Sequence, residues 1–368
     1  MPVEFLGVAS TNDASESSPC TTSAFDPGYL ERLVRVHEDY GWNRVLLTYG
    51  SFGPDPASLA TYIASRLERI ELLLSHRPNV SCPTYAAKTF ATIDQLSGGR
   101  LSVHFITGGN DREQRREGDT LTKDERYAHT REYIQIIKRA WTSTEPFDHH
   151  GDFYQLENFI LTIKPFQGRV PTISFGGSSD PAYRVGSAEA DVYSVWGEPL
   201  ANTREQIERV QAEAFAAGRT VAPRIHAAFR AIIAPTEKFA WEKAHRVLSR
   251  IDVRKAAASA GSASSPTASW PENTGSRRLL EIAAAGERFD SVLWTAISRA
   301  VDGYGNSNAL VGTPEQVAEA LLAYYDLGVR VISVRGFDLI DDVIDFGRHV
   351  IPIVREEVSK RDQEDSAL

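Results

Sequence analysis

A glycine- and serine-rich segment is the clearest candidate for a binding or reactive site in this sequence. Residues 172–181 read TISFGGSSDP. The first four favour a short strand, the two glycines permit a sharp turn, and the serines favour the cap of a helix that begins at the proline. Free N–H groups, hydroxyls and the positive end of the helix dipole would converge there. The pattern predicts an anion site at Gly177, Ser178 and Ser179, although an ordinary strand-to-helix turn would show the same pattern.

The elements that hold this turn alternate between strand and helix along the chain. Eight apolar runs of strand length are separated by helical patterns, at residues 3–9, 44–49, 70–75, 101–107, 172–175, 191–196, 224–233 and 329–334. An open doubly wound sheet would be expected to carry G-x-G-x-x-G in its first strand-to-helix turn, and residues 8–12 do not contain it. We therefore predict an α/β fold, a (β/α)8 TIM barrel with insertions at the carboxyl ends of its strands.

Three further segments have patterns of their own. Residues 147–163 predict a hairpin or an irregular excursion, and residues 292–301 and 340–354 each predict a helix.

Two other segments are candidates to cover a site. The loop at residues 10–25 is too long for a simple turn, and the Ala-, Ser- and Gly-rich stretch at about 253–275 is typical of a mobile insertion. We predict a single barrel domain over residues 1–355, followed by a charged tail over residues 356–368.

Composition and charge narrow the class of protein. The chain has 368 residues, a formal net charge of -9, 42% hydrophobic residues and 24% charged residues. These values are typical of globular proteins, and the negative charge disfavours general binding to nucleic acid or to an anionic membrane. Cys20 and Cys82 have no metal-ligand spacing, which excludes a cysteine zinc site, and H-E-x-x-H does not occur, so we expect no metal site. We recognise neither a signal peptide nor a membrane span, and we expect a cytoplasmic protein.

Side chains at the predicted strand ends are the candidate site residues, because barrel enzymes place their chemistry there. They are Tyr49, Ser75, His76, Arg77, Thr107, Gly176, Gly177, Ser178, Ser179, Trp196, Arg230 and Arg335. His76 could equally be a hydrogen-bonded structural histidine.

Arg230 and Arg335 suit an anionic ligand, because the guanidinium group presents a planar fork to a sulfonate, phosphonate or carboxylate. Asp338 and Asp341 follow Arg335, whereas no acidic residue lies within several positions of Arg230. Arg230 is therefore the better candidate for a ligand contact, which predicts an anionic substrate. The alternative is that each arginine pairs with a neighbouring carboxylate such as Asp338.

Several sequence blocks occur in the order and at the spacing of a known family. The blocks are HRPNVSCPTYAAKTFATIDQLSGGR, HFITGG, DERY, SFGGSSD, VWGEP and ALVG. Together they resemble the bacterial luciferase-like family, most closely its alkanesulfonate monooxygenase branch, over most of residues 1–350. The resemblance implies a two-component monooxygenase that uses O2 and reduced FMN, supplied by a separate NAD(P)H-dependent flavin reductase, to oxygenate a small organic substrate. We expect a homodimer or a homotetramer.

The resemblance also implies roles for individual residues. Ser178, Ser179 and Tyr127 match phosphate-binding positions, Thr107 matches a flavin-contacting position, and Trp196 lies beside the flavin. With the strand ends, this nominates Tyr49, Ser75, Thr107, Tyr127, Gly177, Ser178 and Ser179 for cofactor binding. The strand ends and the resemblance together also give four candidates for catalysis, which are Arg230, Arg335, His76 and Trp196.

The sequence departs from the sulfonate monooxygenase pattern at five positions, one of which is Arg299, in place of an arginine a little further along the chain. Gly53 replaces a cysteine, Ala228 and Arg230 replace an arginine and a histidine, and Phe337 replaces a tyrosine. These departures argue against simple alkanesulfonate specificity. Two other functions stay open, a deazaflavin-dependent oxidoreductase and a flavin-binding protein without catalytic activity.

Overall fold

In the computed structural model, the described residues of the protein are 2–260, 271–305 and 307–367. The strands are β1 (Glu4–Val8), β2 (Arg44–Leu47), β3 (Glu71–His76), β4 (Leu101–Phe105), β5 (Phe147–His150), β6 (Gln155–Phe159), β7 (Thr172–Gly176), β8 (Val192–Trp196), β9 (Arg224–Ile233), β10 (Arg288–Phe289), β11 (Leu293–Trp294), β12 (Ala309–Gly312) and β13 (Val329–Arg335). The helices are α1 (Pro27–Asp39), α2 (Pro56–Ala64), α3 (Pro83–Ser97), α4 (Asp111–Arg116), α5 (Lys123–Thr142), α6 (Asp180–Glu189), α7 (Leu200–Ala216), α8 (Glu237–Ala260), α9 (Thr274–Ala285), α10 (Ala296–Ala300), α11 (Pro314–Asp326), α12 (Leu339–His349) and α13 (Ile351–Ala367).

The predicted fold class, a (β/α)8 barrel, is confirmed. The eight predicted strands correspond to β1, β2, β3, β4, β7, β8, β9 and β13, with boundaries within two residues of the prediction, and a helix follows each of them.

Local signals set many of the helix boundaries. Asp26, Asp55 and Thr313 each accept a hydrogen bond from a backbone N–H of the helix that they cap, and a proline begins each of these helices. Gly98 ends α3 in the left-handed conformation, with φ of 68°. These side chains and turns satisfy backbone groups that have no partner inside the helix.

The first compact unit of the chain consists of Met1–Arg44, Val195–Glu208 and Arg224–Leu368. Within it β9 pairs in parallel with β12 and β13, and β13 pairs in parallel with β1. β10, β11 and β12 are antiparallel. In the pairing of β9 with β13, Arg230 lies opposite Arg335. The strand register therefore brings two cationic residues side by side.

The second compact unit consists of Val45–Ser194 and Arg209–Pro223. In it β3, β4, β7 and β8 pair in parallel in that order. β5 and β6 form the antiparallel hairpin predicted for this segment. The carboxylate of Glu132 anchors the hairpin turn by accepting hydrogen bonds from the backbone N–H groups of Phe153 and Tyr154, at 3.0 and 2.9 Å.

The helix predicted over residues 292–301 is wrong in its first half. Asp290 and Ser291 have φ of 45° and 66°, and this turn leads into β11. Leu293 and Trp294 are buried in the pairing of β11 with β12, and α10 begins only at Ala296. Burial of large apolar side chains in a strand has overridden a helical pattern.

The helix predicted over residues 340–354 is two helices. α12 ends at His349 and α13 begins at Ile351, with Pro352 in its first turn. Proline has no N–H to continue the hydrogen bonds of a preceding helix, so it favours a new start.

The predicted insertion within the domain and the predicted tail after it are placed as follows. Residues 253–260 continue α8 and α9 begins at Thr274, while residues 261–270 of the predicted insertion lie outside the described residues. Residues 356–367, the predicted tail, continue α13, in which Val358 is buried. Among the helices described here, none combines the length and the apolarity that crossing a membrane requires.

Candidate active site

The glycine–serine turn lies in the second unit, between β7 and α6. Gly177 has φ of 143°, which side-chain-bearing residues rarely adopt, and a Cβ there would lie 2.8 Å from the Cβ of Ala182. Ser179 is the N-cap of α6, but its side chain makes no capping hydrogen bond to the helix. The N-terminus of the ten-residue helix α6 and the hydroxyl of Ser179 therefore lie together at this turn.

Tyr127 meets this turn from the first turns of α5. Its side chain is buried, and Ser179 Oγ donates a hydrogen bond to Tyr127 Oη at 3.2 Å. The same oxygen lies 3.4 Å from the position that a Cβ on Gly177 would take. The structure thus brings together Gly177, Ser179 and Tyr127, with Ser178 between the first two in the chain. Hydroxyls at a helix N-terminus, beside a cradle that a Cβ would fill, fit a phosphate group.

Tyr193, which sequence reasoning missed, holds the turn from the neighbouring strand β8. Its hydroxyl donates a hydrogen bond to the carbonyl oxygen of Gly177 at 2.7 Å. Burial raises the pKa of Tyr193 well above its ordinary value, so the hydroxyl keeps the proton that it donates. The alternation of side chains along β8 could have suggested that Tyr193 and Ser194 lie on opposite faces of the strand, but not the partner of Tyr193.

Two further predicted cofactor residues are buried in the same unit. Ser75 lies in β3, opposite His104 of β4, and Thr107 follows the end of β4. A row of polar side chains missed by sequence reasoning crosses β4, β7 and β8. His104 Nδ1 lies 3.0 Å from Ser174 Oγ, which lies 3.1 Å from Ser194 Oγ. These polar contacts link β4, β7 and β8 beside the predicted cofactor residues Ser75 and Thr107.

Tyr49 belongs to an ion-pair cluster around Arg77. Arg77 Nη1 lies 2.6 Å from Glu117 Oε2, and Arg77 Nη2 lies 3.0 Å from Glu113 Oε1. The Tyr49 hydroxyl donates to Glu117, and the guanidinium group lies 4.7 Å from the centre of the Tyr49 ring. Burial, and then Glu117, raise the pKa of Tyr49. Tyr49 is therefore a protonated donor, and the cluster ties the loop after β2 to α4, a link that residue spacing could not reveal.

His76 is enclosed by aromatic side chains. Its Nε2 lies 2.8 Å from Tyr133 Oη, its ring stacks on Tyr133 with centroids 5.6 Å apart, and Phe90 meets it edge-on. Burial lowers the pKa of His76 to about 3. The imidazole is therefore neutral near pH 7, and its place in this cluster favours the structural alternative for this residue.

Burial of three histidines makes stability depend on pH. Burial lowers the pKa of His76 to about 3 and those of His37 and His104 to about 4. Below about pH 6.5 the unfolded chain binds protons at these residues while the folded chain does not, so the stability present above that pH is lost as the pH falls toward 4. We expect each histidine to contribute a slope of up to about 1.4 kcal/mol per pH unit.

Urea unfolding at about pH 7, 6 and 5 tests this expectation. The substitution His76→Gln should lower the slope by about one proton, whatever its effect on the stability at pH 7. His245→Gln, at an exposed position, provides a matched control for the chemical change from imidazole to amide. Equal slopes for the parent and His76→Gln would contradict the expectation.

Trp196 ends β8 in the first unit and begins the sequence Trp-Gly-Glu-Pro. Its ring packs against Gly275, where a Cβ would come within 2.8 Å of Trp196 Cζ3. Two residues later, the buried carboxylate of Glu198 accepts hydrogen bonds from Arg278 Nε and Nη2 at 2.9 and 2.8 Å. This bidentate pair fixes α9 next to Trp196, a role that the motif alone did not indicate.

Arg230 and Arg335 share one carboxylate, that of Glu16. Arg230 Nη2 lies 2.5 Å from Glu16 Oε2, and Arg335 Nη1 lies 3.0 Å from Glu16 Oε1. The structure therefore shows, in place of the predicted ligand contact at Arg230, the alternative in which each arginine pairs with a protein carboxylate. Glu16 is 214 residues away in the chain, so sequence proximity could not reveal it. Arg335 likewise pairs with Glu16 and not, as the alternative had it, with Asp338.

The three groups stay charged together. Burial would raise the pKa of Glu16, but Arg230 and Arg335 outweigh it, and the pKa is lowered. Burial lowers the pKa of Arg230 to about 10, so this group is a cation near neutral pH. Its guanidinium group also lies 4.1 Å from the centre of the Phe337 ring. Two guanidinium groups and one carboxylate leave a local charge of about +1.

Comparisons with known proteins agree with this fold. A family model described as luciferase-like monooxygenase matches residues 4–331. A riboflavin lyase, solved with modified FMN and riboflavin, has a TM-score of 0.79 at 20% identity, covering 97% of this chain and 92% of its own. EDTA monooxygenase from Chelativorans sp. BNC1 has a TM-score of 0.79 at 18% identity, covering 97% and 94%. An F420-dependent secondary alcohol dehydrogenase has a TM-score of 0.67 at 16% identity, covering 96% and 100%. At these identities the similarities show a shared fold, and they do not single out the alkanesulfonate branch.

Proposed function

Since the chain belongs to the luciferase-like monooxygenase family, we propose that it uses reduced FMN and O2 to oxygenate a small, anionic organic molecule. The observation that supports FMN best is the meeting of Gly177, Ser179 and Tyr127 at the start of α6. A dianionic phosphate requires several fixed donors, and this turn offers hydroxyls and a helix N-terminus together.

In this function, individual residues of the chain would bind and orient the flavin. Reduced FMN, when bound, would supply the electrons that activate O2. Ser178, Ser179 and Tyr127 would hold its phosphate, and the carbonyl of Gly177 is already fixed by Tyr193. Ser75 and Thr107, buried at or near strand ends, would contact the flavin. The protein's contribution is therefore to bind and orient the cofactor and to limit the access of water.

We propose that reduced FMN comes from a separate NAD(P)H-dependent reductase. The chain lacks the dinucleotide fingerprint in its first strand-to-helix turn, where a nicotinamide-binding sheet would carry it. The main support for a separate reductase is the resemblance of the sequence blocks to monooxygenases that receive reduced flavin from another enzyme.

A deazaflavin-dependent oxidoreductase is the second candidate, because an F420-dependent dehydrogenase shares the fold. Its cofactor would take or give a hydride without oxygenating the substrate. The third possibility, a binding protein, would hold flavin and turn nothing over. The three differ in what is bound and in whether O2 is consumed.

One set of measurements distinguishes them. The purified chain would be titrated anaerobically with reduced FMN and with F420, then mixed with O2, a flavin reductase, NAD(P)H and a panel of short sulfonates and carboxylates. We expect FMN binding and substrate-dependent incorporation of oxygen from 18O-labelled O2. Preferential F420 binding would support the second candidate. FMN binding without oxygen incorporation for any member of the panel would support the third.

A further inference from the structure

We propose that Arg230 and Arg335 form an oxyanion site for the carboxylate or sulfonate group of a ligand, and that Glu16 occupies this site as an internal substitute when no ligand is bound. The identification of that ligand as the substrate rests on the proposed function. The anion site itself can be tested on the protein without flavin.

The geometry is that of a bound oxyanion. Arg230 and Arg335 are opposite each other in the pairing of β9 with β13, and each oxygen of the Glu16 carboxylate contacts a different guanidinium group, at 2.5 and 3.0 Å. A carboxylate or sulfonate of a small molecule could make the same two contacts, because the guanidinium fork matches either group. The protein thus has a preformed anion site, and the carboxylate of Glu16 occupies it.

The site is not saturated by Glu16. Arg230 is buried, and its Nη1 has no hydrogen-bond partner among the described residues. A buried guanidinium donor without an acceptor is costly, and the triad keeps a charge of about +1. A ligand with a third oxygen or an additional acceptor could therefore make a contact at Arg230 that Glu16 does not make.

Asp342, a second carboxylate that interacts electrostatically with Arg230, already has other partners. Asp342 Oδ2 accepts hydrogen bonds from the backbone N–H groups of Phe337 and Asp338, at 2.7 and 2.9 Å. Its Oδ1 pairs with Lys243 at 2.7 Å. Of the described carboxylates, Glu16 is thus the one in ion-pair contact with the arginines, and its removal would leave the pair without a neutralising group at contact distance.

A ligand would displace the side chain of Glu16 and not its backbone. Glu16 lies in a tight turn closed by Ser15 N to Ser18 O at 3.0 Å and Ser18 N to Ser15 O at 3.3 Å, and its side chain is 30% exposed. The side chain of Arg230, by contrast, is 2% exposed. A solvent anion therefore meets Glu16 and Arg335 first, and it reaches Arg230 only when the Glu16 carboxylate moves aside. Glu16 would thus select among anions, because a ligand must compete with its carboxylate for the two arginines.

The test removes the internal anion. Glu16→Gln, prepared without flavin, should melt at a lower temperature than the parent in a buffer of low ionic strength, and millimolar methanesulfonate or acetate should restore the melting temperature. We expect at least about a tenfold lower Kd for methanesulfonate than in the parent, because the ligand no longer competes with Glu16. Glu31→Gln, which removes the same charge from the exposed pair with Arg35, is the matched control.

Two more variants make the outcome decisive. Arg230→Leu combined with Glu16→Gln should abolish the anion response, and a response that persists would overturn the assignment of the site. Glu16→Asp keeps the charge but shortens the side chain, so it should respond to an intermediate extent even where Glu16→Gln fails to fold. If both Glu16 variants respond to methanesulfonate and acetate no more than Glu31→Gln does, the oxyanion site is wrong, whatever the flavin measurements give.

Discussion

Replacement of Ser178 and Ser179 together by alanine is expected to raise the Kd for FMN by about a hundredfold, while the Kd for riboflavin changes by less than about threefold. Hydrogen bonds to a charged acceptor are the stronger ones, and riboflavin lacks the phosphate that would accept them. The expected loss corresponds to about 3 kcal/mol, which is about two such hydrogen bonds at the lower end of their range. Fluorescence titration with both ligands measures it.

Ser187→Ala is the matched control for this pair. Ser187 lies in the same helix, α6, and its Oγ is buried without a hydrogen-bond partner among the described residues. Loss of this hydroxyl should leave the binding of both ligands unchanged. Equal losses of FMN and riboflavin affinity in the double variant would show that the serines shape the turn but do not bind phosphate.

The substitution Gly177→Ala is expected to abolish measurable FMN binding and to cost about 1–3 kcal/mol of stability. The φ of 143° is unfavourable for alanine, and the new Cβ would lie 2.8 Å from Ala182 and 3.4 Å from Tyr127 Oη. Relief of this contact requires the turn or α6 to shift, and the phosphate donors would shift with it. Chemical denaturation and FMN titration of the same preparation separate the two effects.

Gly218→Ala controls for backbone strain alone. Gly218 has φ of 84°, and a Cβ there would meet no atom within 4 Å. We expect about 1 kcal/mol of destabilisation and unchanged FMN affinity. If Gly177→Ala retained the FMN affinity of Gly218→Ala, the turn would not be the phosphate site.

Local signals explain what the sequence could predict. Strand and helix boundaries follow apolar runs, capping residues and prolines that lie next to one another in the chain, and the turn at Gly177 has its glycines and serines side by side. A resemblance through ordered motifs then added Tyr127, which lies 52 residues before Ser179. These features need no knowledge of tertiary contacts.

Contacts between residues that are distant in the chain explain which features of the site the sequence could not predict. The partner of Arg230 lies in a loop of polar residues whose pattern contains no structural period. Tyr193 and Glu117 were missed for the same reason, because each meets its site residue only through strand order or helix packing. The expected anionic substrate had relied on an unpaired Arg230, and it now depends on whether a ligand displaces Glu16.

If the glycine–serine turn is the proposed phosphate site, the stacked tyrosines behind it would affect how fast and at what entropic cost the phosphate binds. Tyr193 stacks on Tyr183 with ring planes 6° apart, in space left open by Gly186, where a Cβ would come within 2.6 Å of Tyr193 Cε2. The hydroxyl that fixes the Gly177 carbonyl thus belongs to a ring clamped between strand and helix. Little side-chain freedom is left to lose on association, so diffusion and orientation, more than loop ordering, would set the rate at which a phosphate enters this turn.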